Sequence, residues 1–204
     1  MTIETPNSVD IEVLALARRK GWPEDLRVLL TRYPREQWEA HANLGDMARF
    51  WLSRHAMFRE LSAAIGDITG QFRTGQLPPP EFARRFVPRL QFMLDQLNVH
   101  HQIEDLHYFP IFQAADARLA RGFDVLENDH HHIHADMART AETANALLQA
   151  LHAGADSLRQ TNDYANASDV LLKGLIRHLD DEEDLIIPLI LDRGERALGV
   201  AHHW

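Results

Sequence analysis

The run HHQIEDLHYFP, residues 100 to 110, sets His100, His101, Glu104, Asp105 and His107 among apolar and aromatic neighbours. A second run, RHLDDEEDLIIP, repeats the spacing. His100-x3-Glu104-x5-Pro110 becomes His178-x3-Glu182-x5-Pro188, with an acidic residue directly after each glutamate. On a helix, side chains at i and i+4 share one face about one turn apart, which suits an imidazole and a carboxylate to reach one ion or two neighbouring ions. His130 and His134 in NDHHHIHADM have the same i, i+4 spacing, and His55 sits between Trp51 and Phe58. The chemistry open to such residues is metal ligation by neutral imidazoles and anionic carboxylates.

The elements that must position them are helical. From Asp46 the apolar residues Met47, Trp51, Phe58, Ile65 and Ile68 recur at helical spacing up to Gly70 and the QFRTGQLPPP breaker. A second helix starts near Pro80 or Glu81, carries Pro88 in its first turns, and is expected to end by Pro110. A third begins after Gly122 or slightly earlier and runs to about Gly154, and a fourth covers roughly Ala165 to Arg193 with Gly194 as its stop. No stretch sustains the alternation of a strand. The expected fold is all-α: an antiparallel up-down four-helix bundle over residues 45–195, a short N-terminal helical extension over 1–44 that begins with a helix at DIEVLALARRK, and a tail over 196–204.

The inner faces of these helices carry the polar residues. In the second helix the inward series runs 90, 93, 97, 100, 104, 107, 111, and in the third 123, 126, 130, 134, 137, 141. In the fourth it runs 171, 175, 178, 182, 185, 189, and the first helix adds His55. His131 and His132 are expected to face solvent, as are Asp180, Asp181 and Asp184. Burying a charged carboxylate without a partner costs on the order of several kcal/mol, more than an ordinary protein can absorb twice. The inner series contain no lysine or arginine, so the expected compensation is a metal ion.

Composition removes other chemistries. The 204 residues include 13 histidines and no cysteine, so disulfides, thiolate nucleophiles and cysteine-ligated zinc or iron–sulfur sites are excluded. Lys and Arg number 21 against 30 Asp and Glu, a formal net charge of -9, which argues against nucleic acid as a partner. No apolar run is long enough for a membrane span, and MTIETPNSVD lacks a signal peptide's features; a soluble, cytoplasmic protein is expected. No HExxH motif occurs, and the DHH at 129–131 lacks the α/β setting of a phosphoesterase. Glu104 with His107 and Glu127 with His130 match the ferritin-like Glu-x-x-His motif, but they fall on consecutive helices and leave His55, His134 and His178 without a role. His41, His152, His202 and His203 have no ligand-spaced partners.

Taken in order, RHAMFREL, HHQIEDLHYFP, NDHHHIHADM and RHLDDEEDLIIP resemble the hemerythrin-like (HHE cation-binding) domain over about residues 45 to 192. The resemblance implies two iron ions (Fe2+/Fe3+) joined by an oxo or hydroxo bridge. His130, His134 and His178 would hold one iron, His55 and His100 the other, and Glu104 and Glu182 would bridge them. In some relatives the last carboxylate lies five residues after its histidine, which would select Glu183. Zinc or manganese also suits these donors. With three histidines on one iron and two on the other, one coordination position stays open, lined by Trp51, Phe58 and Ile103, where dioxygen, nitric oxide or peroxide would bind. His107, one turn beyond Glu104 on the expected inner face, would close that position if it reached the metal. The expected function is binding or sensing of dioxygen, nitric oxide or redox state. The alternatives are an oxidoreductase acting on peroxide or nitric oxide, and a closed storage or structural metal site.

Overall fold

The computed structural model describes residues 14–201. Within them the chain is all-helical, with no strand. A short helix α1, Val28–Arg32, lies between single 3-10 turns at Glu24–Leu26 and Arg35–Gln37. The four long helices of the bundle are α2, Asp46–Arg73; α3, Pro79–Ile103; α5, Ala120–His152; and α6, Leu158–Arg193. Between α3 and α5 lie a π-helical turn, Glu104–Tyr108, and the short helix α4, Phe109–Ala115. The chain ends its described part with α7, Glu195–Leu198. Short connections between α2 and α3 and between α5 and α6 make consecutive helices antiparallel. Among the described residues no helix is long and apolar enough to cross a membrane.

Several boundaries differ from the sequence expectation for identifiable reasons. The helix expected at residues 10–20 is not formed in its described part, where residues 14–20 make turns; residues 10–13 lie outside the described residues, as do His202 and His203 of the expected tail. Helical structure does not stop at Pro110. That proline falls in the first turn of α4, where its missing N–H has no intrahelical partner to lose, and the π turn before it absorbs the change of register. The helix α5 begins at Ala120, slightly before Gly122 as the sequence allowed, and a Cβ at Gly122 would come 2.6 Å from Leu185 Cδ1, so the glycine permits close helix approach. The last helix starts at Leu158 rather than near Ala165, its N-terminus held by Leu158 N–H donating to Asp156 Oδ1 at 3.1 Å. It stops as expected at Gly194, whose φ of 79° suits a residue without a Cβ.

The chain divides into two compact units, and each boundary between them falls inside a helical stretch. The first comprises the described part of Met1–Ser53, Glu104–His130 and the described part of Arg177–Trp204. Its core joins Leu26, Leu29 and Trp38 of the N-terminal turns to Trp51, Tyr108, Phe112, Phe123 and Leu185. The second comprises Arg54–Ile103 and His131–Ile176. There Phe72, Phe82 and Phe86 stack in succession, and Phe86 meets the fully buried Tyr164 edge-on at 4.9 Å.

The turn from α4 to α5 depends on one buried carboxylate. Asp116 accepts bonds from the Arg118 backbone N–H at 3.1 Å and from Arg118 Nε at 2.9 Å, with Arg193 Nη2 at 3.5 Å. The Arg118 bond, outweighing burial, lowers the Asp116 pKa from 3.8 to about 2. A depressed carboxylate pKa adds stability that is present above the unfolded value and is lost as pH falls through the folded one. Asp116→Asn is therefore expected to cost about 2 kcal/mol near neutral pH. Denaturant unfolding of both proteins should show that difference shrinking as pH falls from 3.8 toward about 2.

Candidate metal centre

In the first unit, four buried side chains converge from three helical segments. Glu104 opens the π turn, His130 lies on α5, and His178 and Glu182 lie one turn apart on α6. His130 Nε2 is 3.1 Å from His178 Nε2 and 3.5 Å from Glu104 Oε2, and His178 Nε2 is 3.3 Å from Glu182 Oε2. The π turn explains the direction of the Glu104 region. Its wider turn adds a residue, so buried positions continue from 104 to 108, 109 and 112 rather than to 107 and 111. His107 is consequently exposed, which corrects its expected place on the inner face.

The second unit holds two histidine pairs. His55 Nε2 and His100 Nε2 are 3.3 Å apart, their rings edge-to-face, with Phe58 packed 5.1 Å from the His100 ring. His101 Nδ1 lies 3.4 Å from His134 Nε2. His101 is fully buried and His134 half-buried, so of this pair it is His101 that lies deeper. Ile103 is 39% exposed, contrary to the apolar lining expected of it, whereas Phe58 and, in the first unit, Trp51 are buried.

A second tier of groups fixes the inner ones. The Trp51 indole N–H donates to Glu182 Oε1 at 2.7 Å. His130 Nδ1 meets Asp105 Oδ1 at 2.7 Å and His178 Nδ1 meets Asp129 Oδ2 at 3.4 Å, so each imidazole is held at the nitrogen opposite its convergent Nε2. Two sequence expectations fail here. Asp181 is fully buried rather than solvated, and an arginine does reach the interior: Arg19, from the N-terminal segment, pairs with both Asp129 and Asp181. Glu183 is also buried but turns to Arg35, 2.9 Å away, while Glu182 faces His178. Asp184 is paired to Arg35 at 2.7 Å.

Sequence reasoning missed His101, Asp105, Asp129 and Arg19. His101 was signalled by the HH doublet, since residues 100 and 101 follow the buried Leu97 at i+3 and i+4 and both can face inward. The acidic neighbours of Glu104 and His130 carried a weaker signal, and Arg19 carried none, because its partners are 110 and 162 residues away.

The electrostatics of the donor set fit a cation. Burial, with the nearby Glu182 charge, pushes the Glu104 carboxyl well above its usual range. Burial also lowers His130, while His178 rises to about 9 because Asp129 and Glu182 together outweigh its burial. Two carboxylates and two imidazoles converging in a buried place are what a divalent ion would satisfy. The ligand atoms of Glu104, His130 and His178 lie within 4.8 Å of one another.

Residues 46–190 match the model of the hemerythrin HHE cation-binding domain, and the chain belongs to that family. Searches of curated proteins and of solved structures found no match.

A carboxylate kept for metal and not for stability has a recognisable signature. In chelator-treated protein, Glu104→Gln is expected to be as stable as the parent chain or about 1 kcal/mol more stable, since it removes a crowded buried charge. Its metal affinity should fall at least about tenfold. Thermal unfolding with and without chelator checks the pair of outcomes; marked destabilisation of the metal-free variant would contradict them.

Proposed function

We propose that the buried imidazoles and carboxylates hold two iron ions and that the chain binds or senses dioxygen, nitric oxide or redox state at a position left open on one of them. One observation carries the reading: five buried imidazoles, His55, His100, His101, His130 and His178, accompany two buried carboxylates, Glu104 and Glu182. Glu104, His130, His178 and Glu182 of the first unit and His55, His100 and His101 of the second are the proposed ligands. His100 and His101 precede Glu104 by four and three residues in one helical run, which supports a shared role for Glu104.

A reduced iron pair with an unfilled position supplies an electron-rich centre for a small diatomic or peroxide ligand. The chain's own residues do the rest. Asp105 and Asp129 hold His130 and His178 with Nε2 turned inward, and Trp51 fixes one oxygen of Glu182. Trp51 and Phe58 exclude water from their surroundings. The exposure of His107 supports an open rather than a closed position.

Protein purified without added metal should contain two irons per chain. Its anaerobically reduced form should gain a visible absorption band on exposure to dioxygen or nitric oxide and lose it when the gas is removed. Irreversible oxidation with consumption of peroxide would instead indicate turnover, and absence of iron would overturn the reading. The proposed assignment also separates two neighbouring histidines. His101→Ala is expected to lower metal occupancy to about one ion per chain, whereas His134→Ala should retain both; elemental analysis of the two variants distinguishes this from the assignment that the family resemblance implies.

A further inference from the structure

Arg19 stands outside the family-matched residues 46–190, yet its guanidinium is buried, 5% exposed, and every nitrogen of it is engaged. Nη2 donates to Asp129 Oδ2 at 2.5 Å and Nη1 lies 3.3 Å from Asp129 Oδ1, a two-pronged grip on one carboxylate. Nε donates to Asp181 Oδ2 at 2.7 Å, and Nη1 also reaches the Leu14 carbonyl at 2.6 Å. The Trp22 ring lies 4.9 Å below the guanidinium, and its indole N–H donates to the Asp181 carbonyl at 2.6 Å. Arg177 holds both oxygens of Asp181 from the other side, at 2.9 and 2.6 Å. Two arginines and two aspartates thus balance in charge. Arg19 spans from α5, which carries His130, to α6, which carries His178.

The decisive detail is the shared oxygen. Asp129 Oδ2 is gripped by Arg19 and is also the atom facing His178 Nδ1. An ungripped aspartate could rotate away from the imidazole; a gripped one cannot. We propose that Arg19 is a positioning residue of the metal centre: by clamping Asp129 it holds His178 with Nδ1 outward and Nε2 directed at the metal, making the N-terminal segment a working part of the site. This rests on the metal-binding reading above. It adds that the family-matched bundle does not set its own ligand geometry, and that an arginine far upstream in sequence completes it. Arginine suits the role and lysine does not, because a planar fork can hold Asp129 at two points while Nε serves Asp181.

The test uses the full chain, stripped of metal and titrated anaerobically with cobalt(II), with the visible ligand-field spectrum as readout and far-ultraviolet circular dichroism as the check on folding. Arg19→Leu and Asp129→Asn are each expected to bind cobalt about tenfold more weakly than the parent and to shift the ligand-field bands in the same direction. The double variant should bind no more weakly than the weaker single variant, because both changes release the same imidazole. Arg19→Lys keeps the buried charge and serves where Arg19→Leu fails to fold; it should show the same band shift with helical content retained. A folded Arg19→Lys or Arg19→Leu protein with parental cobalt affinity and spectrum overturns the proposal, as do penalties that multiply in the double variant. Failure of the parent chain to take up cobalt overturns both readings, whereas normal uptake with indifferent Arg19 variants overturns this one alone.

Discussion

Two carboxylates, Glu104 and Glu182, are buried in a helical protein, facing imidazoles whose convergent nitrogens are about a hydrogen bond apart. Charge in such a place is tolerable only when something of opposite sign is held there. Much else follows from that constraint. Helices supply the rigid spacing that brings donors to one place, and the outer bonds of Asp105, Asp129 and Trp51 stop those donors from turning toward one another's backbone or toward solvent.

The fold pays attention to this centre through irregularities as well as regular elements. A π turn is rare in ordinary helices and common at functional sites. Here it begins at Glu104, keeps that carboxylate inward, and lets Tyr108, Phe109 and Phe112 rather than His107 follow it into the core. The N-terminal segment does more than cover the bundle. Its leucines and tryptophans join the apolar core of the first unit, and Arg19 and Arg35 neutralise acids on α6 that would otherwise crowd the Glu182 turn.

Helical class, the four long helices and the His-x3-Glu repeat were legible in the sequence because periodicity and i, i+4 spacing are local properties. His55, His100, Glu104, His130, His178 and Glu182 all lie on inward faces that such spacing can identify. The register beyond Glu104 was not legible. An α-helical count of 3.6 residues per turn places His107 inward, and only the wider π turn moves it out. The burial of His101 was hidden for a related reason: a doublet at 100–101 straddles two candidate faces, and spacing alone does not say that both turn inward. Long-range ion pairs were invisible altogether. DDEED reads as a solvated acidic face until Arg19, Arg35 and Arg177 are placed against it.

The central claim is that these buried donors exist to hold metal. Anomalous diffraction from a crystal of the purified chain, recorded on both sides of the iron absorption edge, tests it most directly. Two difference peaks are expected, one beside Glu104, His130 and His178 and the other beside His55 and His100. A map with no peak at these residues, or with metal bound only at exposed histidines such as His107, His131 and His132, would contradict it.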